Sequence, residues 1–477
     1  MDSIVRNILK LLVASTLLSS AACSPPSTYN PADPTSRDYY EMLLFQCLLQ
    51  QDPCLPPLAP QKMAGFAANC WLTSTGNVRC AGANGGGQLG YDDTLNVGNG
   101  TAGRSLMEIG DVPLGGTATQ ISVEGGKACA LLTTGAVRCW GKANDGELGY
   151  NDTLNVGDGT AGRSILDLGD VNIGGIATQV AAGTGHACAL LTTGGVRCWG
   201  VNAAGQLGYD DTTNVGDGTA GRSIIAMGDV PIGTPAVKIT LGENFTCALS
   251  AAGGVRCWGD GSVGQLGYND ALNVGDGTAG RSIVNMGDVP IGEPAVDIFA
   301  GNTHACALLE GGRVRCWGSG TAGRLGHNAA TNIGDGTAGQ SIIEIGDITM
   351  GGIVTSMSMG QNHSCALMDD KSVRCWGNGS NGRLGYNSSA NVGDGVGQTI
   401  MEAGAVPIGG ADVLQISAAQ GSCALLTDGN LRCWGTNGQG QLGYNDTLNV
   451  GDGTAGRSIM EMGDVPMGVP LAITAPR

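Results

Sequence analysis

The chain has 477 residues, 84 of them glycine, and a formal charge of −17. That length exceeds one ordinary compact core, so several domains or a repeat array are expected, and so acidic a chain repels phosphate backbones, which excludes nucleic acid as a partner. Aromatic residues are 4% and apolar residues 42%, so a large core has to be built mainly from Ala, Val, Leu and Ile, while glycines without a G-X-Y period serve turns.

Residues 1–23 read as a targeting segment. Arg6 and Lys10 precede the apolar run from Leu11 to Leu18, which is too short to span a bilayer. "SSAAC" then ends at Cys23, and a Cys after Ala-Ala resembles a bacterial lipoprotein cleavage site, although Ser20 stands where such sites carry Leu. Lipidation of Cys23 is expected, giving an outer-membrane or cell-surface lipoprotein, with plain secretion as the alternative. Residues 24–60 combine a Pro-rich tether, "SPPSTYNPADP", with one short amphipathic helix, "SRDYYEMLLFQCLLQQ", N-capped by Ser36. A bridge between Cys47 and Cys54 could staple the end of that helix.

Residues 61–477 repeat. Seven cysteine pairs occur at a spacing of ten: Cys70 with Cys80, Cys129 with Cys139, Cys188 with Cys198, Cys247 with Cys257, Cys306 with Cys316, Cys365 with Cys375, and Cys423 with Cys433. Successive pairs are offset by 59 residues, once by 58, which marks a repeat architecture. "CALL" and "GVRCW" flank "TTG" at Thr192 to Gly194, a three-residue hairpin loop with glycine in the left-handed position. Leu190 then opposes Val196, Ala189 opposes Arg197 and Cys188 opposes Cys198. Directly opposed residues are close enough for a disulfide, so seven cross-strand disulfides are expected. With Cys23, Cys47 and Cys54 accounted for, no thiol among the 17 is left over, which suits an oxidising compartment. Zinc needs closer pairs such as CxxC, and redox catalysis an exposed CxxC; neither occurs.

Within a unit, "ATQVAA" reads as a first strand and the hairpin as two more. "DDTTNVGDGTAGRSI" is a polar loop and "IAMGDVPIG" a fourth strand. The string "GHACALLTTGGVRCWGVNAAGQLG" is similar to the repeat of the regulator of chromosome condensation family. It shares Gly-His before the hairpin, Ala-Leu within it, then Trp-Gly and Gly-Gln-Leu-Gly. The resemblance implies an all-β, seven-bladed β-propeller of about 59-residue, four-stranded repeats, here preceded by the short helical segment. It also implies that the histidine is a turn residue. Ala81 replaces the Trp of Trp-Gly in the first unit, and "PLAITA" after Gly468 resembles the first strand of another unit, suited to closing the ring.

Several residues invite functional readings. His186, His304 and His363 are equivalent, but Lys127, Phe245 and Ser422 take related positions, so no histidine ring is complete and a structural role is expected. His327 in place of Tyr reads as a surface substitution. Asp152, Asn155 and Asp158 resemble a calcium loop without its spacing, so turn structure and no cofactor are expected, with a calcium ion as the alternative. "GDGTAG" fits GxGxxG without the strand and helix a dinucleotide site needs. The Trp of Trp-Gly read as blade packing. No Ser-His-Asp set or carboxylate pair breaks the repeat, so no enzyme is expected. The units vary most in the turns before the hairpin and after Trp-Gly, which makes Lys127, Lys142, Asn144, Asn202, Asn244, Phe245, Asn302, Asn362 and Asn437 candidate interaction residues. The expected function is a monomeric, exported binding or scaffold module for a protein partner. Inhibition of an extracellular enzyme is the alternative. Guanine-nucleotide exchange, implied by the resemblance, conflicts with export.

Overall fold

The computed structural model describes residues 67–469 and residue 471. The expected leader, the tether and its helix, Cys23, Cys47 and Cys54 lie outside the described residues. Seven antiparallel sheets follow one another along the chain. Blade 1 contains β1 (Ala68–Leu72) and β2 (Val78–Gly82). Blade 2 contains β3 (Ala118–Glu124), β4 (Lys127–Leu132) and β5 (Val137–Gly141). Blade 3 contains β6 (Ala177–Ala182), β7 (His186–Leu191) and β8 (Val196–Gly200). Blade 4 contains β9 (Ala236–Leu241), β10 (Phe245–Ser250) and β11 (Val255–Gly259). Blade 5 contains β12 (Ala295–Ala300), β13 (His304–Leu309) and β14 (Val314–Gly318). Blade 6 contains β15 (Val354–Met359), β16 (His363–Met368) and β17 (Val373–Gly377). Blade 7 contains β18 (Val413–Ala418), β19 (Gly421–Leu426) and β20 (Leu431–Gly435).

The middle strands are apolar on both faces because each lies between two neighbouring blades. "HACALL" of β7 is buried at every position, and its alanines leave room for the next sheet. The hairpin register is the expected one: Cys188 opposes Cys198, Ala189 opposes Arg197 and Leu190 opposes Val196, with Gly194 at φ 79°.

The cysteines take the same opposed places in every blade. Cys70 is bonded to Cys80 in blade 1, Cys129 to Cys139 in blade 2, Cys188 to Cys198 in blade 3 and Cys247 to Cys257 in blade 4. Cys306 is bonded to Cys316 in blade 5, Cys365 to Cys375 in blade 6 and Cys423 to Cys433 in blade 7. Their Cα atoms lie 4.0–4.1 Å apart, the close spacing of directly opposed strand residues. All fourteen are buried, as a structural bridge requires and an exposed redox pair does not.

The unit differs from the expected one at its outer edge. "IAMGDVPIG" does not form a fourth strand. Ile224–Met227 is a single helical turn that Ser223 caps by accepting the Ala226 N–H, and Gly228 at φ 69° ends it. Pro231 then has no N–H to give a ladder. The fourth-strand place is held by one backbone bridge from the polar loop, Gly200 to Val215, and the same bridge recurs in every blade. Five of the seven helical turns carry a full capping box, as in Ser164 with Asp167.

The first strands of blades 2–7 surround a common central channel. The ring closes through the C-terminal segment. Leu471 bridges Thr73 in the register that Ala177 takes against Leu191. Leu471 is therefore the innermost described residue of blade 1.

Replacing Cys188 and Cys198 together by Ala should cost about 3 kcal/mol in chemical unfolding, the loop-entropy value for a bridge this short, without ending folding. Replacing only one should cost more, because the remaining thiol can mispair. An unchanged unfolding midpoint in the double variant would remove the disulfides from the stability of the blade.

Candidate interaction surface

The blades are joined by one repeated contact. The indole N–H of each Trp-Gly tryptophan donates to the backbone carbonyl at the Gln position of Gly-Gln-Leu-Gly in the preceding blade. Trp140 reaches Gln88 at 3.1 Å, Trp199 reaches Glu147 at 3.0 Å, and Trp258, Trp317, Trp376 and Trp434 repeat it. All are fully buried, which fits packing rather than a ligand cage. Blade 1 solves the same problem with other residues. Ala81 leaves the ring's space empty, and Trp71, diagonal to it on the neighbouring strand, fills it against Gly443. Asn69 supplies the missing hydrogen bond, its Nδ2 donating to the Gln441 carbonyl at 2.9 Å. The Trp71 indole N–H is left without a partner among the described residues.

At the opposite end of six of the seven blades an arginine performs the second closure. Arg138 donates to Asp170 and to the Leu114 carbonyl of the preceding unit, and Arg79 reaches Met467 across the ring closure at 2.6 Å. In blade 6, Ala405 stands where the aspartate should be, and the Nε of Arg374 has no partner among the described residues.

The histidines are interior residues of the seams. They open the middle strands rather than ending turns and are fully buried. His186 Nε2 lies 2.9 Å from the Thr246 hydroxyl of the next blade, His304 3.1 Å from Ser364, and His363 2.8 Å from Ser422. Where the histidine is absent, so is the hydroxyl: the place corresponding to Thr246 is Ala187 for Lys127 and Ala305 for Phe245. The residue equivalent to His363 in blade 7 is Gly421; Ser422, one place on, is the hydroxyl partner. Burial and the charges of Arg383 and Arg324 push the pKa of His363 down to about 3. His327 is half-buried rather than a surface substitution: burial lowers its pKa to about 4, and its Nε2 has no partner among the described residues.

The central channel is narrow. Its described lining, from Gln120 to Ile416, encloses about 80 Å³, far below the several hundred Å³ of a typical ligand site. Side chains of one inner strand satisfy the free edge of the next: Gln120 accepts the Val180 N–H and Gln179 the Ile239 N–H. Lys238 pairs with Asp297 across blades 4 and 5 and lies 4.4 Å from the Phe299 ring centroid.

The turns before the hairpin and after Trp-Gly share one face, joined by backbone bonds such as Val201 N–H to Gly185. Of the residues expected there, Lys142 and Asn144 are exposed, and Asn244, Asn302 and Asn362 are half-buried. Four others are interior. Lys127 donates to the Gly183 and Thr184 carbonyls of the next blade, and Phe245 is fully buried. Asn202 and Asn437 staple their own loops, Asn202 donating to Asp211 and accepting the Leu207 N–H. Sequence reasoning passed over Arg324 and Arg383 on this face because they stand at a position held by Gln in most units. The polar loop is built by internal bonds. Arg163 grips Asp152 with both terminal nitrogens, Asp158 accepts the Thr160 N–H, and Asn155 accepts the Ala143 N–H. Among the described residues no group of three or more His, Cys, Asp or Glu is placed to hold a metal ion.

Seven sheets around a channel, joined seam by seam, define a seven-bladed β-propeller whose variable turns lie on one face. The regulator of chromosome condensation (RCC1) repeat matches residues 177–206, 236–265, 295–324, 354–383 and 419–441, one segment in each of blades 3–7. It is 30% identical over 269 residues to the human E3 ubiquitin-protein ligase HERC2, covering 56% of this chain and only 5% of the ligase. It is 24% identical to the Ultraviolet-B receptor UVR8 of Arabidopsis thaliana, covering 83% of this chain and 81% of the receptor. The crystal structure of Kap60 bound to yeast RCC1 (Prp20) shares the fold, with a TM-score of 0.54 at 17% identity over 82% of this chain and 84% of that one.

The seams can be tested from both ends. Trp71→Ala alone should cost about 3–5 kcal/mol by leaving a cavity, and adding Ala81→Trp should recover most of it in urea unfolding. Failure of the second change to help would refute the diagonal exchange. The histidine seam should respond to acid. His363 takes up a proton near pH 6.5 when unfolded but only near pH 3 when folded, so its contribution is complete above pH 6.5 and lost as pH falls toward 3. Joint replacement His363→Phe and Ser422→Ala, which copies the seam of Phe245 and Ala305, should flatten the fall in unfolding free energy between pH 6.5 and 4. An unchanged slope would assign the acid sensitivity elsewhere.

Proposed function

We propose that the chain is an exported, non-catalytic protein-binding or scaffold module, lipid-anchored through Cys23, that meets its partner with the turn face of the propeller. The carrying observation is the cysteine pair at disulfide distance in every blade. Seven such pairs are worth maintaining only where thiols are oxidised. The narrow channel and the self-satisfied polar loops favour binding by exposed turns over binding in a pocket. Lys142, Asn144, Asn244, Asn302 and Asn362 are the contact candidates that remain. No cofactor is part of this reading, and the working unit is a monomer. Inhibition of an extracellular enzyme by the same face is the second reading. Nucleotide exchange on a small GTPase is disfavoured, because that partner sits in a reducing compartment.

In a bacterial host the full chain should take up radiolabelled palmitate and fractionate with membranes, and Cys23→Ala should abolish both. Envelope extracts passed over the mature chain should yield a partner that is lost when the turns of blades 2–4 are exchanged among blades. Equal recovery by all turn variants would refute the turn face as the binding surface, and free thiols at most of the pairs in envelope-derived protein would refute export.

A further inference from the structure

Twelve of the fifteen described arginines form an ion pair with an aspartate or glutamate. Arg324, Arg374 and Arg383 do not, and all three belong to units 5 and 6. Arg374 is explained by the loss of its aspartate to Ala405 at the hairpin end of the blade. Arg324 and Arg383 have a different origin. They occupy the Gln position of Gly-Gln-Leu-Gly in adjacent units, on the turn face.

Elsewhere that position turns inward on its own loop. Gln88, Gln206, Gln265 and Gln441 each accept a backbone N–H two residues earlier with the side-chain oxygen. A guanidinium cannot accept, so the two arginines are held by donation instead. Arg324 Nε donates to the Thr321 carbonyl at 2.9 Å and Nη1 to the Thr303 hydroxyl at 3.0 Å, while Arg383 Nε donates to the Ser380 carbonyl at 2.9 Å. The remaining terminal nitrogens have no acceptor among the described residues and are not enclosed. The residues are only 7% and 9% exposed, so each cation is largely desolvated. Burial lowers the pKa of both, the charge of Arg383 lowers that of Arg324 further, and no carboxylate offsets either effect. Such a charge arrangement is costly in a chain carrying −17, where aspartates pair with nearly every other arginine.

We propose that Arg324 and Arg383 together form a receptor on the turn face, across units 5 and 6, for a compact oxyanion carrying two negative charges. Two planar donor forks with fixed Nε atoms match the paired oxygens of a phosphate or of a dicarboxylate. The Thr321 and Ser380 loops hold the forks in place before the anion arrives. This goes beyond the protein-binding reading and stands or falls separately from it, because it concerns a small anion and is measured on the purified chain alone.

The test is isothermal titration of the full chain with inorganic phosphate and, separately, with succinate, at an ionic strength fixed by chloride. One saturable site is expected for at least one of the two anions, and the arm that binds identifies the chemistry. Arg324→Gln and Arg383→Gln install the residue that four other units already carry, so they should fold with an anion-free melting temperature no lower than that of the parent. Each should weaken binding at least tenfold and the pair should abolish it. Joint replacement by Lys, which keeps the charge and loses the fork, should retain weakened binding. No saturable heat with either anion, or an affinity unchanged in the double Gln variant, would overturn the proposal. So would stabilisation by phosphate and succinate no greater than by chloride.

Discussion

The tryptophan N–H that crosses six of the seven seams sets the terms for the rest of the molecule. It ties a side chain at the end of one outer strand to a backbone carbonyl in the preceding blade, inside a fully buried interface. The carbonyl must stay at that point, so the Gly-Gln-Leu-Gly turn that presents it must stay too. The indole fills the space between sheets, so the facing residues must be small; hence the alanines of "HACALL". Because every blade leans on two others, the seam geometry is repeated around the ring and leaves little freedom to any single unit.

Substitutions among these units come in matched sets. A histidine is accompanied by a hydroxyl in the next blade. The polar-loop aspartate and arginine are both present, as in Asp152 and Arg163, or both gone, as in Ala329 and Gln340. In blade 1 three residues, Asn69, Trp71 and Ala81, replace the work of one tryptophan. The physical reason is the same throughout: a polar group taken out of water needs its partner, across the seam for the histidines and within the same loop for Asp152 and Arg163, so changing one member without the other strands a donor or acceptor. Arg324 and Arg383 stand outside this rule, since no carboxylate accompanies them.

The hairpin, its register and the cysteine pairing were legible in the sequence because they are local: a glycine fixes the turn and a period of two fixes everything after it. Once Cys188 opposes Cys198, the same count places Cys80, Cys139, Cys257, Cys316, Cys375 and Cys433 opposite their own partners. The outer edge was misread because "IAMGDVPIG" carries strand-like apolar residues, while the Ser223 N-cap of the helical turn lies outside it and the ending Gly228 reads there as a strand glycine. Variation alone misplaced Lys127, Phe245, Asn202 and Asn437, since a position can vary because its packing partner varies and not because it faces solvent. Burial at a seam depends on a residue about 60 positions away, as His186 and Thr246 illustrate, and nothing in the local pattern of one unit reveals it. The role of Trp71 was hidden for the same reason.

The closing bridge from Leu471 to Thr73 also orders events in time. Blade 1 is synthesised first, yet its innermost position is filled by a residue made after blade 7. Until then β1 presents a free strand edge and the seam between blades 7 and 1 is open, with Asn69 and Arg79 lacking the Gln441 and Met467 carbonyls they donate to. The first blade thus waits longest for its final structure, and its exposed edge is the one that Leu471 of another copy can occupy by mistake.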